Sequence, residues 1–397
     1  MPPAPAAPPA RSGPLAGLKV LELGHYIAGP FCTRVLADLG AEVVKVEPPG
    51  GDPIRGWGAR ARGHPLWFSI HGRNKLSVVL DLKRERDTAL RLAARADVLV
   101  ENFRPGYLER VGLGPADIHA LNPRVVIARV SGYGQDGPYR DRPSFGAIGE
   151  AMGGLRHLTG YPAGASGLPP PRAGVSLSDD LAGLYAAIGL LAAVYQRDVT
   201  GTGRGRIIDV NLVDSVLSLM EGMLPEYAFD GRIRQPQGAA ILTAAPSNTY
   251  PCADGKWLCI AGNSDPIFRR LAAAIGRPEL ADDPRFADNA ARCAHARDLD
   301  AMIAAWTGTL TAAEAEARLE RADVPASKLF DIADIAADPH FRARGSVLEV
   351  MDPLLGRTLH FGPAMRFDGD APGDVVGWTG PAPGQHTEYV LETLLRR

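Results

Sequence analysis

Cysteine is scarce in this chain: four among 397 residues, at positions 32, 252, 259 and 293. None forms a CxxC pair, which argues against a zinc ribbon or a disulfide framework and for a reducing cytoplasm. Long apolar runs are missing too. No uninterrupted stretch of about 18 apolar residues occurs, so no membrane span is expected. The Pro/Ala-rich leader lacks the apolar core of a signal peptide. Net charge is almost absent, at a formal -2, which gives no general attraction to nucleic acid or to an anionic membrane. HExxH, GxSxG and GK[ST] sequences do not occur, so the zinc-protease helix, the nucleophile elbow and the P-loop each lose their signature. The histidines form no cluster at metal-ligand spacing, and no metal is expected. What is present is ordinary for a globular protein: 46% hydrophobic and 22% charged residues, in a chain long enough for two domains.

The periodicity alternates between short apolar runs and helical stretches. Leu18 to Leu23 reads as a strand, Phe31 to Leu39 as a helix and Glu42 to Val46 as a second strand ended by Pro48-Pro49-Gly50-Gly51. That is the strand–helix–strand unit from which parallel sheets are built. It recurs with a strand at Ser77 to Leu80, a helix at Glu85 to Ala96, and strands at Asp97 to Val100 and Val125 to Val130. The class is therefore α/β, with strand order left open. Asp180 to Arg197 is an Ala- and Leu-rich helix with few charges, which must be covered on most sides. A strand at Ile207 to Val210 and a helix at Asn211 to Glu221 follow. Pro225, Pro236, Pro246 and Pro251 then interrupt every period, so 222–250 reads as a crossover linker. The expected divisions are a flexible tail at 1–16, a large domain at 17–221, the linker, a small domain at 251–325, and a C-terminal part at 326–397 returning to the large domain.

Two segments could carry chemistry. Ser131 to Pro138 lies just beyond the C-terminal end of an expected parallel strand, the edge where open α/β sheets bind ligands. Asp179 and Asp180 stand in Gly174-Val-Ser-Leu-Ser-Asp-Asp, just before the apolar helix, where either carboxylate could be a helix cap. Gly201-Thr-Gly-Arg-Gly205 lacks the spacing of a dinucleotide fingerprint. On these residues alone the reaction stays open.

Ordered motifs then carry a resemblance. Leu36-Ala-Asp-Leu-Gly-Ala-Glu-Val-Val-Lys-Val-Glu47, Glu101-Asn-Phe-Arg-Pro-Gly106, Ser131-Gly-Tyr-Gly-Gln135 and the segment from Gly174 to Gly183, with Asp254-Gly255, Asp283-Pro-Arg-Phe286 and Val324-Pro325 downstream, are similar to the CaiB/BaiF family, the family III CoA-transferases, from about residue 17 to 395. The resemblance implies a Rossmann-like large domain built from both chain ends, a smaller α+β domain, and an interlocked homodimer. It implies a CoA thioester as substrate, small carboxylic acids as partners and no tightly bound cofactor. Asp179 falls on the family's nucleophile, which attacks the thioester carbonyl, forms a mixed anhydride and releases CoA thiolate. The acceptor acid then replaces the first acid at the anhydride, and the thiolate captures the new acyl group. CoA-contacting positions implied in the same way are Asn102, Arg104, Lys75, Arg73 and His25, with Arg34 and Arg55 behind them. Pro246 to Tyr250 and Ala151 to Gly160 resemble members that use small dicarboxylates, with succinyl-CoA as donor, and Arg156 and Arg172 are available for a second carboxylate. An α-methylacyl-CoA racemase is the same-family alternative, but Phe145 stands where such enzymes place a proton-transferring residue. A CoA-binding protein without turnover is the other alternative.

Overall fold

The computed structural model describes residues 12–241 and 243–394; the expected tail lies outside them as far as Arg11. Six short strands form the main sheet: β1 (Lys19–Glu22), β2 (Glu42–Glu47), β3 (Lys75–Val79), β4 (Val98–Glu101), β5 (Val126–Ser131) and β6 (Ile207–Asn211). They are ordered β3-β2-β1-β4-β5-β6, and every pairing is parallel. The chain steps one way from β1 and then reverses past it, which opens a crevice outside the carboxyl ends of the strands near the reversal. β4 and β5 are buried at every residue, so most of their positions are apolar on both faces, and the two charges they carry, Glu101 and Arg129, pair with each other at 2.8 Å. Leu21, Val44, Leu76, Leu99 and Ile127 pack on one face of the sheet, and Val20, Val43, Val98, Val100 and Val126 on the other.

Four helices position the crevice: α1 (Ala28–Asp38), α2 (Gly146–Met152), α3 (Leu177–Asp198) and α4 (Leu212–Leu217). The 22-residue α3 has the length and apolarity to cross a bilayer. In the fold it instead buries Ala182, Ala186, Ala187, Leu190 and Ala193 with α1 and β5, leaving Leu184, Tyr185, Ile188 and Tyr195 exposed. Gly183 permits the approach to α1, because a Cβ there would stand 2.8 Å from the Ala28 carbonyl oxygen.

α3 begins three residues earlier than its apolar run. Ser176 is the N-cap, with no capping side-chain hydrogen bond. Asp179 and Asp180 therefore sit inside the first turn, and the capping role expected for one of them is corrected: neither occupies the cap position. The proline-rich stretch also holds more structure than a linker. Met223–Asp230 is a helix, and Pro225 falls in its first turn, where the missing N–H has no intrahelical partner to lose.

The described chain divides into two compact units. The first takes the chain up to Arg156, Arg172–Ile233 and everything from Pro339; the second takes His157–Pro171 and Arg234–Asp338. The break falls at 233/234, inside the expected crossover; 326–338 stays with the second unit, which also recruits 157–171. That unit is α+β, with β7 (Ser247–Pro251), β8 (Trp257–Ala261) and β9 (Ala326–Lys328) in an antiparallel sheet. Phe268, Leu271, Leu299, Ile303 and Leu319 from three helices pack on it.

In the first unit the returning chain end covers the sheet edge. His386 Nδ1 accepts from Ser77 N–H at 3.1 Å, Thr387 Oγ1 accepts from Val79 N–H at 3.2 Å, and Trp378 Nε1 donates to the Lys75 carbonyl at 2.9 Å.

Candidate active site

A cleft opens where the doubly wound order predicts it, beyond the carboxyl ends of β4 and β5. Asn102, Phe103 and Arg104 follow β4 into it, Ser131 and Gly132 come from the end of β5, and Tyr26, Arg140, Arg142, Ser144, Phe145 and Asp179 complete the wall. Its volume is about 110 Å³, below the roughly 300 Å³ of a typical small-molecule pocket.

Asp179 is the one acid among these lining residues. Burial pushes its carboxyl up to about 7; Asp180 and Glu150 add to the rise and Arg172 opposes it. A carboxylate in a first helical turn gains from the helix dipole, but desolvation outweighs that here. α2 fixes where the carboxyl lies. A Cβ on Gly146 would stand 2.1 Å from Asp179 Oδ2, closer than any real contact. Gly146→Ala is therefore expected to displace the carboxyl and cut activity by at least about 100-fold, as misplacement of a reacting group does, with the folded state retained by circular dichroism. Near wild-type turnover in that variant would show the contact to be irrelevant.

The residues expected at the site divide sharply. Arg104 is exposed in the cleft, and its guanidinium makes no hydrogen bond or ion pair with a described residue. Asn102 lines the cleft but commits its amide to the loop after β1, accepting from His25 N–H and donating to His25 C=O, both at 2.8 Å. His25 is half-buried, edge-on to Phe103 at 5.0 Å, with its pKa lowered chiefly by burial and by Lys45. It stands beside the cleft rather than in its wall.

Lys75 and Arg73 require correction. Both are fully buried. Lys75 Nζ donates to Glu22 Oε2 at 2.8 Å and to the Pro30 carbonyl at 2.7 Å. Arg73 is bidentate to Asp38, at 2.9 and 2.6 Å, and donates to the Phe361 carbonyl at 2.8 Å. Neither charge is available to a phosphate; they are internal struts holding the two ends of α1. Arg55 is similarly spent on Glu47, at 2.7 and 2.6 Å. In the glycine loop, Gly134 N–H is taken by Ser131 Oγ at 3.0 Å and Gln135 N–H by Asp209 at 2.8 Å, which leaves neither as an oxyanion donor.

Tyr26, Arg140, Arg142 and Gly146 are site residues that sequence reasoning missed. Arg140 and Arg142 were legible in principle, as cations just past a glycine loop at the end of a parallel strand. Asp180 leaves the cleft altogether. Successive helical residues point about 100° apart, and Asp180 lines a neighbouring cavity instead.

This geometry coincides with clear relatedness. The profile described as CoA-transferase family III matches residues 15–387, and the chain belongs to that family. It is 48% identical over 386 residues to the succinyl-CoA–D-citramalate CoA-transferase of Chloroflexus aurantiacus, covering 96% of this chain and 94% of the relative. It is 40% identical over 387 residues to the beta subunit of that organism's succinyl-CoA–L-malate CoA-transferase, with coverage of 96% and 94%. The crystal structure of a CaiB/BaiF family protein from Brucella suis superposes with a TM-score of 0.84 at 33% identity, covering 96% of this chain and 99% of the other. The protein is a CoA-transferase, moving CoA between an acyl-CoA and a carboxylic acid.

Proposed function

We propose that the enzyme carries CoA from succinyl-CoA to a small dicarboxylic acid of the malate or citramalate type, through a mixed anhydride on Asp179. The observation that carries this reading is the placement of one perturbed carboxyl, Asp179, in a cleft otherwise walled by neutral and cationic side chains. A carboxylate oxygen of Asp179 attacks the thioester carbonyl, the C–S bond breaks, and CoA leaves as thiolate. The acceptor carboxylate then attacks the Asp179 carbonyl carbon and expels succinate. Thiolate attack on the acceptor's own carbonyl releases the new thioester and restores the Asp179 carboxylate. Atoms and charge balance without an oxidant or a net proton. Phe145 in the cleft wall, unable to move a proton, weighs against the racemase alternative.

Arg104, with Arg140 and Arg142, supplies the positive charge suited to the phosphates of CoA. Arg104→Ala is expected to raise KM for CoA thioesters about tenfold with a smaller change in kcat, the pattern of lost uniform binding; unchanged KM in the folded variant removes Arg104 from the binding site. The apolar face of α3, with Leu184, Tyr185, Ile188 and Tyr195 exposed, supports a homodimer. All four cysteines are free thiols, which supports a reducing, cytoplasmic setting. Incubating the purified protein with succinyl-CoA and a panel of mono- and dicarboxylic acids, with mass detection of new thioesters, tests the assignment. New thioesters of dicarboxylates are expected; products from monocarboxylates alone would overturn it.

A further inference from the structure

Next to the cleft lies a second cavity of about 370 Å³, with Arg34, Trp67, His71, Arg172, Asp180 and Phe361 in its wall. That volume lies within the range of small-molecule sites. Two of its polar walls are more than nine-tenths buried: Arg34 is 7% exposed and His71 8%. Neither is satisfied by the protein. Arg34 Nη1 donates to Asp38 Oδ2 at 2.9 Å, but Arg34 Nε is buried without a partner. The guanidinium is held between the Phe31 and Phe361 rings, 4.6 and 4.9 Å from their centroids. The His71 ring has no hydrogen-bond partner among the described residues, and its Nδ1 is buried. Trp67 packs against that ring at 5.8 Å and restrains its orientation.

Arg34 Nη2 and His71 Nε2 likewise make no hydrogen bond with a described residue and, unlike Nε and Nδ1, keep accessible surface, so these two nitrogens are the ones a ligand in the cavity would complete. The charge of the wall indicates its class. Asp180 is the one acid among the lining residues; of the two arginines Arg172 is turned to Glu150 at 3.3 Å, which leaves Arg34 as the cation of the wall. Burial and the nearby cations Lys75 and Arg34 bring His71 down to about 3, so the ring is neutral and offers one N–H donor. The cavity also adjoins the reacting centre. Asp180 directly follows Asp179, and Arg172, in the cavity wall, draws down the Asp179 pKa.

We propose that this cavity is the subsite for the far carboxylate of the dicarboxylic substrates, with Arg34 as its cation and His71 as its hydrogen-bond donor. The proposal rests on Asp179 being the acyl carrier. Donor and acceptor pass in turn through an anhydride on the same residue, so one subsite beside it serves both, and a chain without a second charge leaves it unfilled.

Succinyl-CoA and butyryl-CoA provide the test, because their acyl chains match in length and differ in a terminal carboxylate against a methyl group. Hydroxamate formed on Asp179 in the presence of hydroxylamine reports acylation by each donor in the wild type, His71→Phe and Arg34→Gln. A site built around a polar group rejects the analogue lacking it, so a wild-type preference for succinyl-CoA of at least about 100-fold in kcat/KM is expected. That preference should fall by about tenfold or more in at least one variant. A smaller fall in both, or no preference in the wild type, overturns the subsite. His71→Phe keeps the ring, and if Arg34→Gln fails to fold by circular dichroism, the His71→Phe ratio decides alone. The two readings fail differently. Hydroxamate on Asp179 with unaltered ratios removes the subsite only, whereas no hydroxamate on Asp179 from either donor removes the acyl carrier and the subsite with it.

Discussion

Asp179→Ala protein is expected to bind CoA and to transfer nothing, a loss of at least about ten-thousand-fold, because it lacks the proposed nucleophile. Asp179→Asn should be equally inactive, since an amide is a poor nucleophile toward a thioester. In the wild type, incubation with succinyl-CoA and hydroxylamine should place a hydroxamate at Asp179 within the peptide Ala173–Arg197. Label at Asp180 or Glu150, or wild-type transfer by the alanine variant, would falsify the assignment. Asp180→Ala should keep measurable turnover, because that carboxyl faces the other cavity. The carboxyl pushed up to about 7 sets the pH dependence. Attack needs the ionised form, so acylation should rise with pH through about 7 and level off above it. The stability consequence has the opposite sense. Burial opposes ionisation of Asp179, so wild-type stability falls as pH rises from the ordinary value of 3.8 through about 7. Asp179→Asn should thus unfold at higher urea than the wild type at about pH 8, with the gap closing toward about pH 4. A gap independent of pH would show that the carboxyl is not strained by burial.

Glu22→Gln should be among the most destabilising single substitutions in the chain. Glu22 is fully buried and receives Lys45 at 2.6 Å, Lys75 at 2.8 Å and Thr33 at 2.5 Å. Removing its charge leaves the buried Lys75 ammonium without a carboxylate partner, while Lys45 keeps Asp52 at 2.6 Å; breaking a buried pair costs about 3–5 kcal/mol. Urea midpoints at constant slope measure it, and a loss under about 1 kcal/mol would mean that water reaches the lysines. Burial alone would raise the Glu22 carboxyl, yet Lys45 and Lys75 bring it down to about 2 from an unfolded value of 4.5. Its folded value is the lower one, so this stabilisation is complete above the unfolded pKa and is lost as pH falls through about 2. The wild type should therefore show an acid-unfolding component in that window that Glu22→Gln lacks.

The same cluster explains what was and was not legible in the sequence. β4 and β5 were readable because strands covered on both faces are mostly apolar, as Val98-Leu-Val100 and Val126-Ile-Ala128 are. Their order was not, since periodicity carries no record of which strand lies beside which. Lys75 and Arg73 looked like surface cations because the expected strand began only at Ser77, whereas β3 begins at Lys75. The missed clue was complementary: Glu22, Lys45 and Glu47 lie in the buried parts of their strands, beside Val20-Leu21 and Val43-Val44, and Glu22 pairs in register with Lys45. Charges of opposite sign inside buried parallel strands must meet one another, since solvation is denied them. Asp179 was singled out through motif spacing alone, because nothing local in the sequence distinguishes it from any other carboxylate of a first helical turn. Arg34 entered the sequence reading only as a lesser candidate for CoA, and His71 only as an unclustered histidine, because hydrogen bonds that a side chain does not make leave no mark in a sequence.

The covering of β3 by His386, Thr387 and Trp378 carries a consequence for how the protein is made. Residues 75–79 leave the ribosome some 300 positions ahead of the groups that satisfy Ser77 and Val79, a separation of 309 between Ser77 and His386. At about 5–20 residues per second, synthesis leaves that strand border bare for roughly 15–60 seconds, and an uncovered parallel edge invites pairing with another chain. The segment around His386 thus seals a strand border laid down some 300 residues before it. Expression is consequently expected to depend on chaperone capacity, and truncations near the C-terminus to aggregate out of proportion to the few residues they remove.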